Sequence, residues 1–154
     1  MPVEVIATNR RARHEYEILD RIEAGIALTG PEVKSARAHR VSLAEGYAAV
    51  EDGEVWLHGV HIARYEAGGY AAQEPTRSRR LLLHRREIRR LERDVQQKGW
   101  TLIPLRMYFS GRGYAKVELG VCRGKREYEK RESIKRRDEQ RRTEQAIADY
   151  RRGR

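Results

Sequence analysis

One cysteine, one phenylalanine, two methionines and four prolines are all that this 154-residue chain holds of those types. A lone Cys122 cannot form a disulfide within the chain, nor supply a thiolate-rich zinc site. No stretch approaches the ~18–20 consecutive apolar residues of a membrane span. The opening Met1-Pro2-Val3-Glu4-Val5 lacks the long apolar core of a signal peptide. These shortages exclude secreted disulfide scaffolds, membrane-spanning proteins and zinc fingers, and leave a cytoplasmic protein as the expectation. Acid is also in deficit, with 23 Asp+Glu against 33 Lys+Arg and a net charge of +10. Lysine is scarce among those cations, 6 against 27 arginines. Arginine pairs with phosphate in bidentate fashion and stacks on bases, so this balance suits nucleic acid, although a GC-rich genome also favours arginine codons.

The charge is unevenly placed. Residues 1–122 carry 20 Lys+Arg and 16 Asp+Glu, whereas 123–154 carry 13 and 7. The large aliphatics of that second segment are only Ile134 and Ile147, joined by Tyr128 and Tyr150. Too little apolar surface is available to offset the entropy of ordering, so the segment is expected to be disordered alone. It has no proline, is rich in helix formers, and places opposite charges such as Glu132 and Arg136 four residues apart. The expected organisation is a body over 1–122 and a basic tail over 123–154 that becomes helical on a partner.

The body reads as mainly β with short helices. Tyr16-Glu17-Ile18-Leu19 and Gly25-Ile26-Ala27-Leu28 look like strands. Gly30-Pro31-Glu32 opens a helix, with proline in its first turn and an acid at the positive end of its dipole. Tyr47–Val50, Asp52-Gly53 and Val55–Leu57 form a hairpin signal, because Asp-Gly accepts the positive φ angles of a tight turn. From His84 to Lys98 the apolar period becomes helical through Ile88, Leu91 and Val95, with Gly99 as the stop. The rest of that helix is nearly all charged, including Arg85, Arg86, Arg89, Arg90 and Arg93. Thr101–Phe109 and Tyr114–Val121 make a second hairpin across Ser110-Gly111-Arg112-Gly113. This order suits a small closed barrel of the oligonucleotide-binding type, plugged or flanked by helices.

Four features that resemble chemistry have plainer readings. His58 and His61 would face opposite sides of a strand and lack an acid partner, so no metal is expected. Gly111-Arg112-Gly113 lacks the Lys-Ser/Thr and the helix of a phosphate-binding loop, and is a hairpin turn. Cys122 stands beside Arg123, but no His and acid pattern makes it a nucleophile. Glu51-Asp52 are turn residues. The expectation is a protein without catalysis, cofactor, metal or small-molecule substrate.

The basic stretches carry more. Asn9-Arg10-Arg11-Ala12-Arg13-His14-Glu15-Tyr16 packs three cations, an imidazole and an aromatic into one short segment. Arginines there can hold phosphates while a ring stacks on an unpaired base. Pro75-Thr76-Arg77-Ser78-Arg79-Arg80 repeats the theme ahead of Leu81-Leu82-Leu83.

Together these segments resemble the SsrA-binding protein family (small protein B), the bacterial partner of transfer-messenger RNA. The resemblance runs from about Asn9 to Arg137. It rests on the segment Asn9–Tyr16, on Glu23-Ala24-Gly25 followed by Gly30-Pro31-Glu32-Val33-Lys34-Ser35, on Pro75–His84, and on Gly124-Lys125 through Glu129-Lys130-Arg131 and Ile134-Lys135. It implies an oligonucleotide-binding-type barrel that binds the tRNA-like domain of transfer-messenger RNA. It further implies a tail that enters the empty messenger channel of a stalled ribosome near the decoding centre and becomes helical there.

By position, the resemblance points to Asn9, His14, Glu23, Leu82, His84 and Lys116 as RNA-facing residues, to which the basic segments add Arg10, Arg11, Arg13, Arg77, Arg79 and Arg80. For the ribosome it points to Arg123, Lys125, Arg126, Tyr128, Glu129, Lys130, Arg131 and Lys135. Three positions depart from the family pattern: Pro31 is unusual, Glu129 stands where many members have Asp, and His84 where others have Asn. The reading is an RNA-binding rescue factor. The alternative is a ribosomal or ribosome-assembly protein whose basic extension is structural.

Overall fold

The computed structural model describes residues 3–65, 74–124, 137 and 139–148. The chain divides into two compact units, Met1–Arg123 and Gly124–Arg154. In the first, the elements run β1 (Glu4–Thr8), α1 (Arg10–Glu15), β2 (Tyr16–Ile26), α2 (Gly30–Arg37), β3 (Val41–Ser42), β4 (Tyr47–Glu51), β5 (Glu54–His58), β6 (His61–Ile62), β7 (Arg79–Leu82), α3 (Arg85–Lys98), β8 (Thr101–Phe109) and β9 (Ala115–Gly124).

The main sheet is ordered β1-β8-β4-β5-β7-β2-β9, and β8 also pairs with β9. That second pairing closes six strands into a ring, β8-β4-β5-β7-β2-β9, with β1 added outside on β8. The sheet therefore curls into the barrel expected from the order of elements. Val55, Leu57, Leu81, Leu102, Met107, Val117 and Leu119 fill it, and none is more than 1% exposed. Ile88 and Leu91 of α3 and Ala36 of α2 belong to the same core.

Two local devices shape the ring. Asp52 and Gly53 take φ of 50° and 75°, the paired positive angles that let β4 turn directly into β5. In β8, the register against β9 shifts between Pro104 and Arg106. Proline has no N–H to give the ladder, so a bulge is its natural place within a strand. The bulge changes the alternation of β8. Leu102 and Met107, an odd number of residues apart, both enter the barrel core, whereas Ile103 and Leu105 join a second cluster with Ala12 and Cys122. That outer cluster seats α1.

Sequence and structure part in two places. The segments expected as separate strands at 16–19 and 25–28 are one eleven-residue strand, β2, whose middle residues Asp20 and Arg21 face water. Asn9–Tyr16, read only as a basic segment, contains α1, which has no apolar period because only Ala12 is buried.

In the second unit, residues 139–148 are helical. Gln140 donates to Glu144 at 3.4 Å, one turn on.

Candidate nucleic-acid interface

The residues expected to face RNA fall on three parts of the body. The first is α1. Asn9 caps it: Oδ1 accepts from the Ala12 amide at 3.1 Å. The same side chain donates through Nδ2 to the carbonyls of Pro104 at 2.9 Å and Leu43 at 3.2 Å. Its backbone N–H donates to the Leu105 carbonyl at 2.8 Å, inside the β8 bulge. The side chain of Asn9 is thus saturated within the protein and the residue is buried. Asn9 thereby fixes the helix that displays Arg10, Arg11, Arg13 and His14, all four exposed. Arg11 is tied to Glu15 at 2.9 Å and to Glu45 at 2.7 Å, and those carboxylates, Glu15 foremost, raise its already high pKa.

The second part is the outer face of β2, β9 and β8. Tyr108 of β8 stands opposite Lys116 of β9, and its hydroxyl donates to Glu23 of β2. Burial, then the Glu23 carboxylate, push the phenol pKa well above its ordinary value. Arg106 lies over the Tyr108 ring at 4.7 Å and donates to Glu118 at 3.1 Å. Arg21 donates to the other Glu118 oxygen at 3.3 Å. Glu23 and Lys116 therefore flank one buried phenol inside a network of paired charge. Arg21, Arg106, Tyr108 and Glu118 escaped the sequence reading; their signal was polar alternation at Arg106/Tyr108 and Lys116/Glu118, visible only once the strands are paired.

The third part is β7 and the start of α3. Leu82 pairs with Gly25 and is 47% exposed. A Cβ on Gly25 would lie 3.2 Å from the Leu82 Cβ, so glycine lets the two backbones and that side chain fit together. Arg80, two residues earlier on the same face, is also exposed and lies 3.7 Å from Glu54. His84 is exposed and precedes α3; its backbone N–H donates to Glu87 at 2.9 Å. Because β7 adjoins β2, Leu82 and Arg80 continue the surface that carries Glu23.

Arg79 is a correction. It is 0% exposed, and all three kinds of guanidinium nitrogen are used internally: Nε to Glu32 at 2.6 Å, Nη1 to the Val60 carbonyl at 2.8 Å and Nη2 to the Pro75 carbonyl at 2.9 Å. Strand alternation turns it inward, away from any RNA. Arg77 is half-buried and also committed, to both Glu32 oxygens and to the Ala27 carbonyl at 3.3 Å.

Tyr16 and Glu23 lie seven residues apart on β2, about 23 Å at ~3.3 Å per residue. The α1 cations and the Glu23–Leu82–Lys116 surface are thus two separated patches.

Of the expected tail set, Arg123 belongs to β9 and donates to Glu17 of β2 at 2.7 Å. Lys125, Arg126, Tyr128, Glu129, Lys130, Arg131 and Lys135 lie outside the described residues. His58 does have an acid partner, contrary to the expectation: its Nε2 donates to Glu51 at 2.9 Å, while Nδ1 shares a hydrogen bond with the Ser78 hydroxyl at 2.7 Å. Cys122 is buried, and burial pushes its thiol up to about 11, so it stays protonated at neutral pH. Among the described residues, no three His, Cys, Asp or Glu converge on a point that could hold a metal ion. Nor is any described helix long and apolar enough to cross a membrane.

Comparison with known proteins follows the same direction. The sequence profile of the family described as SmpB protein matches residues 6–149. An SsrA-binding protein of Limosilactobacillus reuteri is 53% identical over 146 residues, 95% of this chain and 92% of that protein. An SsrA-binding protein of Streptococcus pneumoniae is 53% identical over 136 residues, 88% of this chain and 87% of that one. A chain from a solved structure, "tmRNA-SmpB: a journey to the center of the bacterial ribosome", superposes with a TM-score of 0.67 at 57% identity, covering 79% of this chain and 85% of the other.

Proposed function

This chain belongs to the SmpB family, and from that premise we infer that it binds transfer-messenger RNA and brings it to stalled ribosomes for trans-translation. The family match across residues 6–149 carries this reading, since it takes in both the barrel and most of the basic tail. The geometry agrees with it in a second way, because one large folded ligand can reach both exposed patches, which β2 separates by about 23 Å. The alternative of a ribosomal or ribosome-assembly protein draws no support from the relatives.

In this reading the body, 1–122, recognises the tRNA-like domain. Arg10, Arg11 and Arg13 hold phosphates, His14 stacks or donates, and Glu23 accepts from a base or 2′-hydroxyl beside Leu82 and Lys116. Arg80 adds charge at the edge of that surface. The tail, 123–154, is the ribosomal element: Lys125, Arg126, Lys130, Arg131 and Lys135 follow ribosomal RNA phosphates, Tyr128 stacks in the decoding centre, and Glu129 sets register among them. The helix at 139–148 supports a helical tail, and an empty messenger channel would select it because messenger RNA excludes it by sterics. The protein acts by binding in the cytoplasm and catalyses no reaction of its own.

A gel-shift titration tests this. The tRNA-like domain of transfer-messenger RNA is titrated with protein at near-physiological salt, with excess unstructured RNA as competitor. Binding that survives competition, both in the full chain and in a chain ending at Cys122, is expected. Binding removed by the competitor reduces the protein to a general basic RNA binder, and binding lost with the tail assigns recognition to the wrong unit.

A further inference from the structure

Helix α3 is packed through Ile88 and Leu91, with Val95 half-buried on the same side. At 100° per residue, the direction opposite those three side chains is occupied by Arg86, Arg89 and Arg93, with Arg90 beside them. All four are exposed. Arg90 is held by Asp20 of β2 at 2.7 Å. Among the described residues, Arg86, Arg89 and Arg93 have no ion pair, and neither does Arg85 on the flank of the stripe. Two of the three acids of α3 are engaged elsewhere: Glu87 accepts from the His84 backbone at 2.9 Å, and Asp94 lies 3.6 Å from Lys98.

Of the other arginines of the body, Arg11, Arg21, Arg77, Arg79, Arg106 and Arg123 face carboxylates, whereas α3 gathers three without an ion pair on one face. Like charges three and four residues apart weaken a helix, and for Arg86, Arg89 and Arg93 no ion pair among the described residues offsets that cost. An anionic partner would offset it. We propose that the Arg86–Arg89–Arg93 face of α3 is a further binding surface, separate from the residues assigned above, that takes the phosphate backbone of double-stranded RNA.

Three observations select this occupant. The stripe is straight and rises about 10 Å from Arg86 to Arg93, so it presents a line of charge and not a cup for one anion. No aromatic side chain lies on that face, which removes the stacking platform that single strands use. The groove on its Arg85 side is lined by Arg80, Arg85 and Arg89 but also by Asp52, Glu54 and Glu92, so its charge is balanced, whereas the crest through Arg86 and Arg93 is cationic only. Duplex RNA is recognised largely through its backbone, which fits a surface of this kind.

The test uses the full chain with Arg86, Arg89 and Arg93 replaced by Gln, a residue that favours helices equally well. Affinity is measured against salt for the tRNA-like domain, for a plain RNA duplex and for vacant ribosomes. The expected result is a log–log salt slope on the plain duplex smaller by up to about 2–3, one increment per lost phosphate contact. A matching loss on the tRNA-like domain identifies the duplex as part of that RNA, and a loss on ribosomes alone identifies it as ribosomal. A second variant, with all three arginines changed to Lys, keeps the charge and should keep the slope. An unchanged slope on the plain duplex, the tRNA-like domain and vacant ribosomes alike in the Gln variant overturns the proposal. So does a Lys variant that loses as much slope as the Gln variant, since charge would then not be the cause.

Discussion

Arg79 and Glu32, 47 residues apart in the chain, meet in the interior through a 2.6 Å hydrogen bond from Nε to Oε2, with the arginine wholly out of solvent. Glu32 also caps α2, accepting from the Thr29 amide at 3.0 Å, and receives Arg77. One carboxylate thereby joins the start of α2 to the strand β7. The Gly30-Pro31-Glu32 and Arg77-Ser78-Arg79 segments are consequently two halves of one structural joint, and of Arg77, Arg79 and Arg80 only Arg80 is exposed.

Neighbouring arginines should therefore behave oppositely. Replacing Arg79 by Met leaves Glu32 short of a buried partner and is expected to cost about 3–5 kcal/mol. Replacing the exposed Arg80 by Ala should change stability by no more than ~0.5 kcal/mol while lowering RNA affinity. Urea unfolding of both variants, with RNA titration at low temperature, distinguishes them; equal destabilisation would contradict the joint.

The joint also predicts an acid limb. Burial alone raises the Glu32 carboxyl pKa, but hydrogen bonds from Arg77, the Thr29 amide and Arg79 outweigh it and leave the group below its ordinary 4.5. A depressed folded pKa means stability present above the unfolded value and lost as pH falls through the folded one. Unfolding midpoints from about pH 6 to about pH 3 should thus fall more steeply in the parent than in Glu32→Gln. The variant is weaker near neutrality, so its curve should approach the parent's in acid; parallel curves would show that Glu32 does not titrate with folding.

Asn9 and its neighbouring cations separate structure from binding. Asn9→Ala removes a helix cap and strands two buried carbonyls, at about 2–4 kcal/mol together, yet the salt slope of RNA binding by the folded protein should hold. Arg11→Ala with Arg13→Ala should do the reverse, leaving stability nearly unchanged and lowering the slope by about 1–2. Thermal melts and salt titrations of both variants read the difference.

Cys122 gives a probe of the outer cluster that seats α1. Its thiol, raised to about 11 by burial, should react with a disulfide reagent only as fast as the body opens. Labelling rates in rising urea should follow the unfolding transition. Prompt labelling of native protein would mean that α1 lifts from β8 and β9 without global unfolding.

Much of this architecture was legible in the order of residues. Asp52-Gly53 announced the β4–β5 turn because few pairs accept two positive φ angles, and Gly99 marked the end of α3 by taking φ of 67°. Ile88, Leu91 and Val95 fixed which side of α3 is buried, and hence that its arginines face water. Such signals are local, and a single turn or helical face is enough to express them. The tertiary structure alone decided what depends on distant pairing: that β9 closes the ring between β2 and β8, that β2 is continuous through exposed Asp20 and Arg21, and that a bulge at Pro104 reverses the alternation of β8. It also decided which polar side chains of the basic motifs are spent inside. Asn9 and Arg79 look like their exposed neighbours in composition, but strand alternation and the carbonyls of Pro104, Leu43, Val60 and Pro75 claim them. A residue's type sets what it can bond; only the fold determines whether water, RNA or its own backbone is within reach.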